Sequence, residues 1–238
     1  MIGVALAFAA GCSSSPSSTS DSSSTSFDQM SAASVLQTSV TAADTAGTVA
    51  FVDVTRGAGV TRNLAGAVSA PAAEQEVGPT DPLQVILNNA TIYVKATATT
   101  LESSLQLSAA QATANAGKWI SLQESDGPYN QLAAALTISS VLDAYVPTGR
   151  LRLGPVTTVH GHQVVPVIGA ASTSATNGAS GTATLFVSTT ARHTPVAGSL
   201  IVNRGETSFT EEAIFRNWGA PVSTVAPSNA IAYSSFFD

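Results

Sequence analysis

Three histidines, His160, His162 and His193, are the first side chains able to hold a metal or move a proton. His160 and His162 stand close enough to share an ion. His160-Gly161 is also a turn dipeptide, however, and histidine tolerates the left-handed backbone region better than most residues. His193 lies about thirty positions on, with no Asp or Glu spaced to complete a ligand set, so turn and surface roles are expected and no metal site. A serine hydrolase needs a G-x-S-x-G elbow. Ser180, in Asn177-Gly178-Ala179-Ser180-Gly181, does not complete that pattern and sits in a turn-rich stretch. Gly57-Ala58-Gly59 would cradle a phosphate only ahead of a helix, and Val60-Thr61 reads as strand. Glu74 and Glu76 share one face of a strand and read as solvated charges. Adjacent Glu211 and Glu212 must point to opposite faces. An inward carboxylate could accept a hydrogen bond from a ligand headgroup; an outward one guards a sheet edge. Trp119 and Trp218, near strand ends, are expected to pack on a core, with a cavity rim as the alternative. No catalytic residue, metal or cofactor is expected.

Composition narrows the classes further. The 238 residues are 44% hydrophobic and 10% charged, with a net charge of −6. Nucleic-acid binding needs a basic stripe, which nine Lys plus Arg do not form here. With Cys12 as the only cysteine, no disulfide or thiolate metal site can form.

Cys12 follows Ala9-Ala10-Gly11 and an apolar run from Ile2 to Ala10 that is too short to span a bilayer. Small residues directly before a cysteine resemble the lipobox of bacterial lipoproteins. That resemblance implies a signal peptide over residues 1–11, cut before Cys12, whose acyl chains then anchor the protein in the membrane. No Lys or Arg precedes the apolar run, which a start placed too far downstream, or a peptide truncated at its start, would explain. Residues 12–26 are the lipidated cysteine and a tether, because Ser13 to Ser26 contains only Ser, Thr, Pro16 and Asp21. Nothing there offsets the entropy of ordering. Such a tether spans roughly 20 Å on average. Residues 27–238 are long enough for one sizeable domain.

The elements that must position these side chains come from periodicity. A helix is predicted from about Asp28 to Asp44, with Ser26 or Asp28 as cap and Gly47 beyond its end. A weaker one covers about Ser108 to Ala116 and stops at Gly117. A third opens at Gly127-Pro128 and runs to about Tyr145, with a break allowed near Leu136. The rest alternates with period two: Ile92, Val94, Ala96 and Ala98 oppose Thr91, Tyr93, Lys95 and Thr97. Arg150–Leu153 and Ala183–Ser188 repeat the pattern. Asn88-Asn89, His160-Gly161, Asn177-Gly178 and Asn203-Arg204-Gly205 mark reversals. About eleven strands joined by short turns exclude a parallel βαβ sheet. The predicted fold class is α+β: one curled antiparallel β-sheet, a half-barrel, with helices packed in its concave side.

At this level the chain resembles the actinobacterial LprG/LppX-type lipoproteins, and more distantly the LolA/LolB carriers. The residues that carry the likeness are the lipobox at Cys12, the Ser-rich tether, Tyr93-Val94-Lys95 and Gly117-Lys118-Trp119-Ile120. Gly161-His162-Gln163-Val164-Val165 and the segment ending in Trp218-Gly219 complete it. The resemblance implies an open half-barrel whose apolar cavity in several members holds acyl chains, and lipid or lipoprotein handling on the outer side of the membrane. The apolar phase of successive strands supplies a candidate lining: Val52, Val54, Ile92, Val94, Ile120, Leu122, Leu151, Leu153, Leu185 and Val187. Many of the inward side chains are small, which leaves volume under a curved sheet; close helix packing would fill it. A lipid carrier and a closed-core envelope interaction module therefore both remain.

Overall fold

The computed structural model describes residues 29–57, 60–69, 72–78 and 82–237. The signal peptide 1–11, Cys12, the tether, Ala58 and Gly59 lie outside the described residues. Helix α1 (Ala32–Ala46) forms because Val35, Ser39 and Ala43 recur on one buried face. Its cap is Ser31, whose Oγ accepts from the Ser34 N–H, so the helix starts later than predicted. Gly47, at φ +70°, closes it by donating to the carbonyls of Ala43 and Asp44.

Two antiparallel meanders follow. The first comprises β1 (Thr48–Gly57), β2 (Val60–Ser69), β3 (Ala72–Gly78), β4 (Leu83–Asn88) and β5 (Thr91–Ala96). After helices α2 (Ala98–Leu105) and α3 (Ala109–Asn115), β6 (Ile120–Leu122) extends it. Helices α4 (Tyr129–Ala135) and α5 (Ile138–Asp143) lead to the second, made of β7 (Thr148–Leu153), β8 (Thr157–Val159), β9 (His162–Ala170), β10 (Ser180–Ser188), β11 (Pro195–Arg204) and β12 (Thr207–Arg216). The short helix α6 (Thr173–Thr176) sits between β9 and β10. β1 pairs with β12, which joins the meanders into one open sheet, β13-β6-β5-β4-β3-β2-β1-β12-β11-β10-β9-β7, with β8 on β9. The two-residue β13 (Ile231–Ala232) lies parallel to β6; every other pairing is antiparallel. This is the predicted α+β half-barrel, with thirteen strands rather than about eleven, because a strand as short as β13 has no periodicity to read.

Three local expectations change. The alternation through Ala98 stops at Ala96, because Thr97 accepts from the Thr100 N–H and starts α2. The helix predicted to Tyr145 breaks after Leu136, where Thr137 accepts from the Ser140 N–H and caps α5 afresh. The β4–β5 hairpin turn is Asn89-Ala90, both at positive φ, one residue beyond the expected Asn88-Asn89. His160-Gly161 does form its turn, at φ +49° and +82°.

The helices cover the concave side: α1 packs over β1, β7, β9, β10 and β11, α5 touches α1, and α4 touches β5. Behind β12 the chain becomes a strap. The Gly219 N–H donates to the Thr48 carbonyl at 3.1 Å, and Thr48 Oγ1 donates to that of Ala220 at 2.7 Å. Farther on, Asn88 Nδ2 donates to the Thr224 carbonyl at 2.8 Å and Thr224 Oγ1 to that of Leu87 at 2.9 Å. The strap thus crosses the ends of β1 to β5 and delivers β13 to β6.

Candidate functional site

The inner face of the sheet divides by burial. At one side Ile92 pairs across from Leu122 and Val94 from Ile120, and all four are fully buried. They share one apolar cluster with Leu101 and Leu105 of α2 and Ala112 of α3. Across the sheet Leu185 and Val187 are also fully buried, on the strand that α1 crosses. Leu151 and Leu153 are half-buried on the β7 edge strand. Val52 and Val54 belong elsewhere. Val52 is 41% exposed, and both lie on the outer face of β1. Both phases of this strand are apolar, and the phase that turns inward is Val49, Phe51 and Asp53, because it carries the larger ring to bury.

At the rim of this one continuous core lies an apolar band that keeps contact with solvent. Leu64 of β2, Leu83 of β4, Leu132 of α4, and Ile138 and Val141 of α5 are half-buried and pack against the core. On the same strands, nearer the strap, Val68, Ala73 and Val85 are buried. The inner face therefore grows wetter toward the turns that follow β1 and β3. Each Å² of such surface taken from water gains about 25 cal/mol.

A polar group stands beside this band. Asp53, opposite Leu64 in the β1–β2 register, is buried, and the hydroxyl of Tyr145 donates to it. The same hydroxyl lies 2.9 Å from Oε1 of Glu211 on β12. Burial first, then the charges of Asp53 and Glu211, raise the Tyr145 phenol far above its ordinary value of 10.0. The ring is placed by Gly198 beneath it and by an edge contact to Phe215, with centroids 5.9 Å apart. Glu211 is thus the inward member of its pair. Glu212 points outward and meets Arg56 at 3.0 Å, an exposed pair that contributes little. Sequence reasoning missed Asp53 and Tyr145. The available signal was an acid inside Phe51-Val52-Asp53-Val54, since a charged residue in an apolar strand is buried only with partners.

The remaining candidates fall on the outside. Ser180 is exposed at the start of β10. Glu74 and Glu76 are exposed on β3 and line a cavity of about 440 Å³ under the strap. Trp218 packs on Phe215 and donates its Nε1–H to the Pro195 carbonyl at 2.7 Å, while Lys95 Nζ sits 5.8 Å from the Trp119 ring centre. Among the described residues no three His, Cys, Asp or Glu side chains cluster to hold a metal. No helix among them is long and apolar enough to cross a membrane.

An open, curled antiparallel sheet whose concave side is filled by helices is a half-barrel fold of the LppX type. The structure is similar to that of the lipoprotein LppX of Mycobacterium tuberculosis, with a TM-score of 0.51 and 16% identity over 81% of this chain and 97% of that one. LprF from Mycobacterium bovis gives a TM-score of 0.48 and 15% identity over 83% and 97%. No family model and no curated protein matches the sequence.

Proposed function

We propose that this protein is a non-catalytic lipoprotein that binds an acyl chain or similar apolar ligand on the concave side of its half-barrel. The observation that carries the reading is the half-buried band of Leu64, Leu83, Leu132, Ile138 and Val141. An apolar surface left partly wet at the rim of a dry core gains from a ligand that covers it. The LppX-type fold supports the reading, as does the lipobox at Cys12, through which the chain is held in the membrane on its extracytoplasmic side. Asp53, Tyr145 and Glu211 at the edge of the band offer the polar end of a ligand a hydrogen-bonding partner. Tyr145 stays neutral at physiological pH, so the group acts by hydrogen bonding and shape.

Native mass spectrometry of the purified Cys12→Ser chain tests this, together with titration by a fluorescent fatty acid. A co-purifying acyl lipid, or saturable binding of the fatty acid, is the expected result. The full burial of Ile92, Val94, Ile120, Leu122, Leu185 and Val187 favours a second reading, a closed core with an envelope protein as partner. A chain that never binds an acyl probe supports that one.

A further inference from the structure

A second site lies on the opposite side of the sheet. Where the β8–β9 turn, the loop after β10 and the end of β12 meet, a cavity of about 500 Å³ opens. Its lining includes His160, His162, Arg192 and Arg216, and no carboxylate. For a chain with fifteen Asp plus Glu against nine Lys plus Arg, this is a marked local reversal of charge. It is sharpened by the neighbouring cavity under the strap, which holds Glu74 and Glu76 and shares Asn217 as a common wall. The basic groups are also unspent. Among the described residues neither Arg192 nor Arg216 is seen in an ion pair.

The frame around these groups is fixed by backbone. The His160-Gly161 turn holds the two imidazoles at the mouth of one hairpin. The loop after β10 is tied by the Thr189 N–H to the Gln163 carbonyl at 3.0 Å, and by the Ser188 N–H to that of Thr194 at 3.0 Å. Within it the hydroxyls of Ser188 and Thr190 lie 2.9 Å apart and also line the cavity. Arg216 is set by its register opposite Ala50. Trp218 has given its N–H to Pro195 and offers the cavity only its ring.

We propose that this cavity binds an oxyanion of the phosphoester class. Two guanidiniums, two imidazoles and two hydroxyls around one space suit an anion with several acceptor oxygens, which arginine grips with charge-assisted pairs. The volume falls within the range of small-molecule sites, roughly 300–1,000 Å³, so an organic group fits alongside the phosphate, against Trp218. The ester belongs either to a lipid headgroup or to a soluble molecule. This site does not depend on the concave band, and either can fail without the other.

The test uses the full chain with Cys12→Ser and Trp119→Phe, so that Trp218 fluorescence reports on the cavity. Glycerol 1-phosphate is titrated in one arm and vesicles of phosphatidylglycerol in phosphatidylcholine in the other, against pure phosphatidylcholine vesicles. Saturable binding of glycerol 1-phosphate, weakened about tenfold or more in the Arg192→Gln/Arg216→Gln variant, supports a soluble ester. Binding confined to phosphatidylglycerol vesicles and lost in the same variant supports a headgroup. Both arginines are exposed, so the variant is expected to melt with the parent, and Arg192→Lys/Arg216→Lys should recover part of the affinity. No binding in either arm, or binding that the double variant leaves unchanged, overturns the proposal. Ile138→Phe in the concave band, which adds no second tryptophan, should not alter either arm.

Discussion

Tyr145 lies directly on Gly198: a β-carbon at position 198 would stand 2.3 Å from Tyr145 Cγ and 2.6 Å from its Cβ and Cδ1. The absent side chain of β11 is what lets the phenol reach across to Asp53 and Glu211. Gly198→Ala is therefore expected to push the ring away and destabilise the fold by roughly 1–3 kcal/mol, as overpacking does. Urea unfolding of the variant checks this. Stability equal to the parent would mean that the ring has room to move.

Tyr145→Phe keeps the packing and removes the hydroxyl between two carboxylates. Leaving Asp53 without that donor is expected to cost about 1–3 kcal/mol at neutral pH. The pH dependence has a definite sign. A phenol whose folded pKa is raised above the unfolded value of 10.0 contributes stability that is present below pH 10 and lost as the pH rises beyond it. The parent should lose stability steadily above pH 10. Tyr145→Phe should lose less per pH unit, with the residual slope coming from Tyr129 and Tyr233, whose values are raised as well.

Tryptophan substitutions separate the dry core from the wet band. Val94→Trp and Leu185→Trp enter fully buried positions and should each cost roughly 1–3 kcal/mol in chemical denaturation. Ile138→Trp enters a half-buried position, so its melting temperature should stay close to that of the parent. Fatty-acid binding should nevertheless weaken as the ring occupies the band. Undiminished binding in Ile138→Trp would place any ligand elsewhere.

Cys12→Ser should release the chain from the membrane fraction. At about 0.8 kcal/mol for each buried CH₂, acyl chains dominate partitioning, and a chain of net charge −6 adds little attraction to anionic lipid. Fractionation after a salt wash gives the answer. A serine variant that still pellets with membranes would locate the anchor elsewhere.

The sequence carried the architecture better than the site. Period-two alternation and turn dipeptides such as His160-Gly161 depend on neighbours a few residues away, so the half-barrel could be read before any coordinates. Helix α2 escaped because Ala98-Thr99-Thr100 continues the alternation of β5, and only the side chain of Thr97, folding back as a cap, ends it. Val52 and Val54 fall on the outer face rather than in the expected lining because β1 offers two apolar phases, and the choice depends on which one meets α1 and Tyr145. The group of Asp53, Tyr145 and Glu211 is assembled from residues 92 and 66 positions apart. No local pattern announces such a contact.

The pairing of β1 with β12 has a consequence for how the chain folds. Every other neighbouring pair of long strands belongs to one meander or the other and can zip from a nearby turn. The β1–β12 contact brings together residues roughly 160 apart, such as Val54 and Glu212, at the full entropic cost of closing so large a loop. The two meanders are thus expected to form first, and their association to set the folding rate. Asp53 and Glu211 stand on opposite sides of this late junction, with Tyr145 arriving from the connector between the halves. A chain nicked in the exposed turn at Glu124-Ser125 would then yield two fragments that reassociate along β1 and β12, with recovery of the Tyr145 contact marking the moment the halves join.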